Sequence, residues 1–406
     1  MQHFKHALDA LAAQNRLRRL PDMAHQGRYI FSEREACPGH GLKLLNLSSN
    51  DYLGLAGDEA LKAAFFDSAE IRALPLSASS SRLLTGGFPV YRELENLMAA
   101  RFGREAALLF NSGYHANSGI LPALADKQTL ILADKLVHAS LIDGIRLAGC
   151  HYLRYRHNDY AQLETLLNTH AAAYRTVIIA TESLFSMDGD TADLPRLVAL
   201  KKQFGNVMLY VDEAHAVGAY GTNGLGLAEA QNCLAGIDIL VGTFGKALAS
   251  VGAYAVCDGL IKDYLTNHAR TLIFSTALPP LNVAWTHFLF QRLPEMGARR
   301  RHLADLSRRL RCAVDKTFPP ASPPTPAAGH GLFNHGSYIV PCLLGSNEAA
   351  VKQAEQWQQQ GYYCLPIRPP TVPQGTARVR LSLTADISGE ELDGFIALLE
   401  QNQSAG

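Results

Sequence analysis

Between residues 106 and 257 the chain returns six times to a short apolar run. The runs are AALLF (106 to 110), TLILA (129 to 133), TVIIA (176 to 180), VMLYV (207 to 211), DILVG (238 to 242) and AYAVC (253 to 257). They are continuous rather than alternating. That is the pattern of strands buried on both faces, since a strand with one wet face alternates apolar and polar positions. Helical stretches such as LPRLVALKKQF (194 to 204) separate most of the runs. The pattern predicts an α/β fold with a mainly parallel central sheet flanked by helices. A second unit follows, with strands in SYIVPCLLG (337 to 345) and ARVRLSLTA (377 to 385) and helices at 346 to 360 and 388 to 401. It reads as a smaller C-terminal α+β domain. At the other end, MQHFKHALDALAAQNRLRRLP reads as an amphipathic helix closing in a basic patch. PGHG (38 to 41) and PPASPPTPAAGHG (319 to 331) are loops by composition. Three regions result: an N-terminal helix and arm at 1–50, a large domain at 51–285 and a small domain at 286–406.

Charge removes some functions from consideration. Lys+Arg and Asp+Glu are both 37 in 406 residues. A balanced chain offers no global attraction to nucleic acid or to an anionic membrane. The apolar runs are too short to span a bilayer, and the N-terminus lacks the apolar centre of a signal peptide. The expected location is therefore cytoplasmic. Seven scattered cysteines without a C-x-x-C spacing read as free thiols rather than a disulfide framework or a zinc site.

Candidate chemistry lies just past the strands, because open α/β sheets bind ligands beyond their carboxyl ends. Ser112, Gly113 and Tyr114 follow the first run, and Asp134 and His138 the second. Glu182 and Ser186 follow the third, Asp212, Glu213 and His215 the fourth, and Thr243 and Lys246 the fifth. Singly, each has an ordinary reading: a helix cap, a structural histidine, a solvent-reaching lysine. Jointly they suit two chemistries. VDEAH (211 to 215) resembles the magnesium-binding strand of a nucleotide-hydrolysing motor, but such a motor also needs G-x-x-x-x-G-K-[ST], and the chain has no such string. Pyridoxal phosphate (PLP) needs a lysine for its aldehyde, a carboxylate for its ring nitrogen and N–H donors for its phosphate. Lys246, Asp212 and the Ser112-Gly113 turn supply these. His138 could stack on the ring, and Ser186 and His215 could meet its hydroxyl. Burial would lower the pKa of Lys246 and favour the neutral nucleophile.

The same stretches carry a family resemblance. NLSSNDYLGLAGD (46 to 58), SRLLTGGFPVYRELE (81 to 95), FNSGYHANSG (110 to 119), DKLVHASLIDGIRLAG (134 to 149), TESLFSMDGDTADL (181 to 194), VDEAHAVGAYG (211 to 221), GTFGKALASVGAY (242 to 254) and RTLIFSTALPP (270 to 280) resemble the α-oxoamine synthases. These are fold-type I PLP enzymes that join an amino acid to an acyl thioester with loss of carbon dioxide. The resemblance implies that Lys246 carries the cofactor and moves the Cα proton. It implies that Asp212 pairs with the ring nitrogen, that His138 stacks on the ring, and that Ser186 and His215 meet its hydroxyl. Gly113 and Tyr114 would lie against the cofactor, Thr243 would take its phosphate, and Ser112 and Glu182 would complete that set. Thr276 would reach the phosphate from the other subunit of a homodimer. Asn50 and Arg368 would hold the amino-acid carboxylate, and Arg18 and Thr371 would contact the acyl substrate. IRPPTVPQGTARVRLSL (367 to 383) resembles most the member that joins L-alanine to a pimeloyl thioester for biotin synthesis. A relative that uses glycine or serine with another acyl-CoA, such as a glycine C-acetyltransferase, is the alternative. A non-catalytic paralogue that only binds the cofactor also stays open. Phe88, Pro89, Ala216 and Val217 depart from the family's usual residues and bear on acyl-chain preference. The acyl carrier is CoA or an acyl carrier protein. A carrier would dock on a basic patch, for which Arg16, Arg18, Arg19 and ARRRH (298 to 302) are candidates; a solvated face is the plainer reading of that run.

Overall fold

The computed structural model describes residues 1–32, 42–318 and 336–404. The loops expected at 38–41 and 319–331, and Cys37, lie outside these residues. Seven strands form the main sheet: β4 (Ala106–Phe110), β5 (Thr129–Asp134), β6 (His151–Tyr155), β7 (Thr176–Glu182), β8 (Val207–Asp212), β9 (Ile239–Thr243) and β10 (Ala253–Cys257). Their order is β4-β10-β9-β8-β7-β5-β6. Only β10 runs against its neighbours β4 and β9, and the pairs from β9 to β6 are parallel. All six apolar runs are strands of this sheet. The seventh, β6, is HYLRY, a half-exposed edge strand with no apolar run to announce it.

Both faces of the sheet are covered, which explains the continuous runs. On β7 and β8, Ile178, Ala180 and Tyr210 pack into one apolar layer. Their neighbours Val177, Ile179, Leu209 and Val211 pack into the opposite one. With strands parallel and in register, their carboxyl ends share one edge: Glu182 stands opposite Asp212.

Two helices finish that edge. Gly113–Leu124 is capped by Ser112, whose hydroxyl accepts from the His115 N–H. Ala139–Ala148 is capped by the His138 ring, which accepts from the Ser140 N–H. They pack closely at Gly144, where a Cβ would stand 2.5 Å from the Asn117 carbonyl oxygen. A side chain there would push apart the two helices that flank the site.

A second sheet is antiparallel, ordered β11 (Ile339–Gly345), β14 (Ala377–Ser382), β13 (Leu365–Ile367). In a third, β1 (Met23–Gln26), β2 (Tyr29–Ser32) and β3 (Leu42–Asn46) pair antiparallel, and β12 (Tyr362–Tyr363) adds to β3 in parallel. Residues near the two ends of the chain are thus hydrogen-bonded together. The N-terminal helix forms over Gln2–Ala13 with none of its residues buried.

The ARRRH run is a solvated face only in part: Ala298 and Arg301 are exposed, while Arg299 and Arg300 are engaged within the fold. Arg300 is fully buried and donates to the carbonyls of Leu293, Pro294 and Thr222. Arg299 pairs with Asp58 and donates to the carbonyls of Leu53 and Gly54. These arginines tie loops to the long Gly297–Thr317 helix. The six described cysteines are free thiols. Among the described residues no helix is long and apolar enough to cross a membrane, and no three His, Cys, Asp or Glu side chains cluster as a metal site.

Candidate active site

A cavity of about 190 Å³ opens at the carboxyl edge of the main sheet. Five strand ends contribute to its lining: Gly113 and Tyr114 after β4, His138 after β5, Glu182 on β7, Asp212 and His215 from β8, and Thr243 and Lys246 from β9. Eight of the residues singled out by position after a strand therefore meet in one place.

Lys246 sits on the turn after β9. Burial is the main reason its amine falls from the ordinary lysine value to about 8. Asp212 and Glu182 act against that fall, and Arg380 adds to it. The result is an amine close to half neutral near pH 8, suited to act as nucleophile and base.

Asp212 is buried and held by two donors. Its Oδ2 accepts from Asn117 Nδ2 at 2.7 Å and its Oδ1 from the Ala214 N–H at 2.8 Å. Asn117 is itself fixed: its Oδ1 accepts from the Tyr210 hydroxyl at 2.7 Å, and its Nδ2 also reaches Ser140 Oγ at 2.9 Å. A carboxylate so held keeps one aim. Asn117 lies within a quoted stretch, but its place inside a helix hid it. An amide competes with the helix backbone for hydrogen bonds, and that unfavourable position was the only signal.

Both histidines of the cavity are held neutral by burial and cationic neighbours. Burial, then Lys246, pulls His138 below the usual imidazole value, against Asp212. His138 Nδ1 accepts from the Ser140 N–H at 3.2 Å, so the ring proton is on Nε2. Burial, then Lys246, Arg380 and His138, pulls His215 lower still. Glu182 accepts from the His138 N–H at 2.5 Å. Burial, then Asp212, raises its pKa well above the carboxylate range.

The donor set fits PLP. It offers a lysine of lowered pKa, a fixed carboxylate, an imidazole and the first residues of a helix, whose amides lack intrahelical partners and suit a phosphate. A family model for class I and II aminotransferases matches residues 43–399. The chain belongs to the class I and II aminotransferase family. An 8-amino-7-oxononanoate synthase from Haemophilus ducreyi is 58% identical over 406 residues, covering 98% of this chain and 100% of that one. A serine palmitoyltransferase from S. paucimobilis, solved with a bound PLP–myriocin adduct, superposes with a TM-score of 0.85 at 26% identity. The match covers 99% of this chain and 97% of that one. An 8-amino-7-oxononanoate synthase from Francisella tularensis superposes at 0.71 with 25% identity, covering 89% and 98%. This aminotransferase-family chain is a PLP-dependent enzyme with the fold-type I architecture.

The other residues expected at the site lie around it. Arg18 donates to the Thr371 hydroxyl at 3.2 Å. Arg368 donates to the Asn15 carbonyl, and burial and then the charge of Arg18 lower its pKa. Asn50 has a different guanidinium beside it: Arg380 Nη1 lies 3.4 Å from its Oδ1. Arg380 is buried and also donates to the Ser186 carbonyl at 2.5 Å. Ser186 and Thr371 line a second cavity of about 130 Å³. Thr276 is exposed, and its carbonyl accepts from Asn111 Nδ2 at 2.7 Å. Arg380 and Tyr52 were not among the expected residues.

The loops that carry His138 and Ser186 are clasped by His157. Its Nδ1 is 2.9 Å from Asp134 and its Nε2 2.6 Å from Asp190. Burial lowers its pKa, but the two carboxylates overcome this and raise it to about 10. An imidazolium with a raised folded pKa stabilises the fold fully below the ordinary histidine pKa near 6.5, and that contribution is lost as pH rises through about 10. His157→Gln leaves the two carboxylates facing each other. Urea unfolding at pH 7 should show a loss of about 3 kcal/mol, and the gap to wild type should close toward pH 10. A gap that does not change with pH would show that the charge is not what holds the loops.

Proposed function

We propose that the enzyme condenses L-alanine with a pimeloyl thioester, carried on CoA or acyl carrier protein. The products are 8-amino-7-oxononanoate, carbon dioxide and the free thiol, in biotin synthesis. The observation that carries this reading is 58% identity to a synthase of that name along the whole chain.

PLP, when bound, supplies an electron-poor ring that stabilises the negative charge left on Cα as its proton departs. Lys246 would hold the cofactor's aldehyde and, once released, take the Cα proton with its low-pKa amine. Asp212, held by Asn117 and Ala214, would keep the ring nitrogen protonated. Gly113 and Tyr114 would give backbone N–H groups to the phosphate, joined by Thr243, with Ser112 capping the helix. His138 would stack on the ring and offer its Nε2–H to the acyl oxygen as charge develops there. Arg368 and Asn50 would bind the amino-acid carboxylate. The paired cations Arg368 and Arg18 repel each other until an anion sits between them, which suits a carboxylate. Arg18 and Thr371, already in contact, would guide the acyl thioester. A second copy of the chain would bring its own Thr276 to the phosphate, so a homodimer in the cytoplasm is the expected form.

The test is a product panel. Alanine, glycine and serine are each combined with pimeloyl-, acetyl-, succinyl- and palmitoyl-CoA, and products are identified by mass. Alanine with pimeloyl-CoA should lead every other pair by at least about tenfold in kcat/KM, the order of discrimination one methyl group provides. A preference for glycine with acetyl-CoA would instead mark a glycine C-acetyltransferase.

A further inference from the structure

His215 is gripped from two sides by tyrosines that the chemistry above does not use. The Tyr338 hydroxyl donates to the His215 carbonyl. The Tyr52 hydroxyl lies 2.7 Å from His215 Nδ1. Tyr52 is wholly buried, with its ring 4.3 Å from that of Tyr338.

Three polar groups surround the Tyr52 oxygen: Arg380 Nη2 at 3.3 Å, Asn50 Oδ1 at 3.1 Å and His215 Nδ1. A guanidinium has donors only, so the phenol oxygen accepts from Arg380. The phenol's own hydrogen then goes to Nδ1 or to Asn50. Nδ1 is nearer, and the Asn50 oxygen already has Arg380 Nη1 beside it. Burial raises the Tyr52 pKa, so the phenol keeps that hydrogen to give. The imidazole is neutral: its burial, then the charges of Lys246 and Arg380, oppose a second proton. A neutral ring carries one hydrogen, and a ring that accepts at Nδ1 must carry it at Nε2.

We infer that Tyr52 donates to Nδ1 of His215 and so holds this histidine in the Nε2–H tautomer, with its one donor beside the cofactor cavity. The inference rests on the contact that the family resemblance implies between His215, which lines the cavity, and the cofactor's ring hydroxyl. The opposite tautomer would turn a lone pair toward that oxygen. Tyr52 is thus a positioning residue. Arg380 orients its hydroxyl, and Tyr338 fixes the backbone beneath the ring. His138 is held in the same tautomer by the Ser140 N–H, so both imidazoles of the site carry their hydrogen on Nε2.

The test uses the full chain, without and with PLP, labelled with 15N-histidine. The His215 signals are assigned by their loss in His215→Gln. In the unloaded wild type, Nδ1 should resonate as an unprotonated nitrogen that accepts a hydrogen bond. In Tyr52→Phe, which removes only a hydroxyl, it should move to the position of an unbonded nitrogen. In the loaded enzyme, Tyr52→Phe should raise by about one unit the pH at which the yellow absorbance is lost, the equivalent of one hydrogen bond. The sign follows because a donor to the ring oxygen weakens its hold on the proton shared with the neighbouring nitrogen. Without that donor the proton stays to higher pH. The groups facing His215 that could also move this midpoint are Lys246, Arg380, His138 and Tyr338, with Asp212 and Glu182 across the cavity; all are unchanged in the variant. A protonated Nδ1 in the wild type overturns the tautomer. The right tautomer with an unmoved midpoint overturns the link to the cofactor. An error in the proposed substrates would change the product panel and leave the nitrogen spectrum as it is.

Discussion

Lys246→Ala is expected to abolish turnover, with a fall in kcat of about 10⁴-fold, the upper range for losing a positioned acid–base group. Two roles fail at once: the amine that holds the cofactor and the base that takes the Cα proton. Asp212, Asn117, His138 and the helix beginning at Gly113 all remain, so the variant should still take up PLP, but without a covalent bond. Borohydride reduction followed by mass spectrometry checks this. The wild type should gain the reduced cofactor on Lys246, and the variant should gain none. The depressed pKa adds a pH signature. In the wild type, a rate limited by Cα proton removal should climb with pH and level off above about 8, the value to which burial draws the amine. A lysine at its ordinary value would keep climbing for two further units. A climb that continues past pH 10 would show that burial does not draw this amine down.

Asp212→Asn should give the second largest loss, about 10³-fold in kcat with a small change in KM. The substitution keeps size and shape and removes the charge. The Ala214 N–H can still donate to an amide oxygen, but Asn117 Nδ2 would then face an NH₂ group. That leaves a buried donor without an acceptor and a cofactor ring without its counter-charge. PLP should bind at least about tenfold more weakly, since a hydrogen bond to a charged group is worth about 1.5–3 kcal/mol. Steady-state kinetics and a fluorescence titration of cofactor separate the two effects. A variant with near wild-type kcat would show that Asp212 does not act on the ring.

The strands were legible because burial on both faces writes itself as uninterrupted apolar runs, and the lysine, carboxylate and histidines were legible because they follow those runs directly. Other parts were hidden for physical reasons. HYLRY at the sheet edge has one wet face and no continuous run, so β6 gave no sign. In ARVRLSL the alternation sets Arg378, Arg380 and Ser382 on one face and Val379 and Leu381 on the other. By pattern the arginine face should meet solvent. In the fold it meets the main domain, where Arg378 pairs with Asp188 and Arg380 spans Asn50, Tyr52 and the Ser186 carbonyl. The same happened in part of ARRRH, where Arg299 and Arg300 are spent on backbone carbonyls while Arg301 stays exposed. Sequence pattern reports which side of an element is polar. It does not report whether water or a neighbouring element answers that side. Asn117 and Tyr52 hid for a related reason, since each acts only on a residue far along the chain.

The pairing of β3 with β12, and of Tyr52 with Arg380 across 328 positions, also sets an order in time. At about 5–20 residues added per second, the ribosome needs roughly 15–65 s between making Tyr52 and making Arg380. The main sheet is complete at Cys257 and can form well before then. From Cys257 to Arg380, roughly 6–25 s at that rate, the growing chain can hold a folded sheet whose catalytic edge lacks its arginine and its last supporting strands. The active site is therefore the part of the molecule that translation finishes late, and cofactor that arrives early meets an unfinished edge.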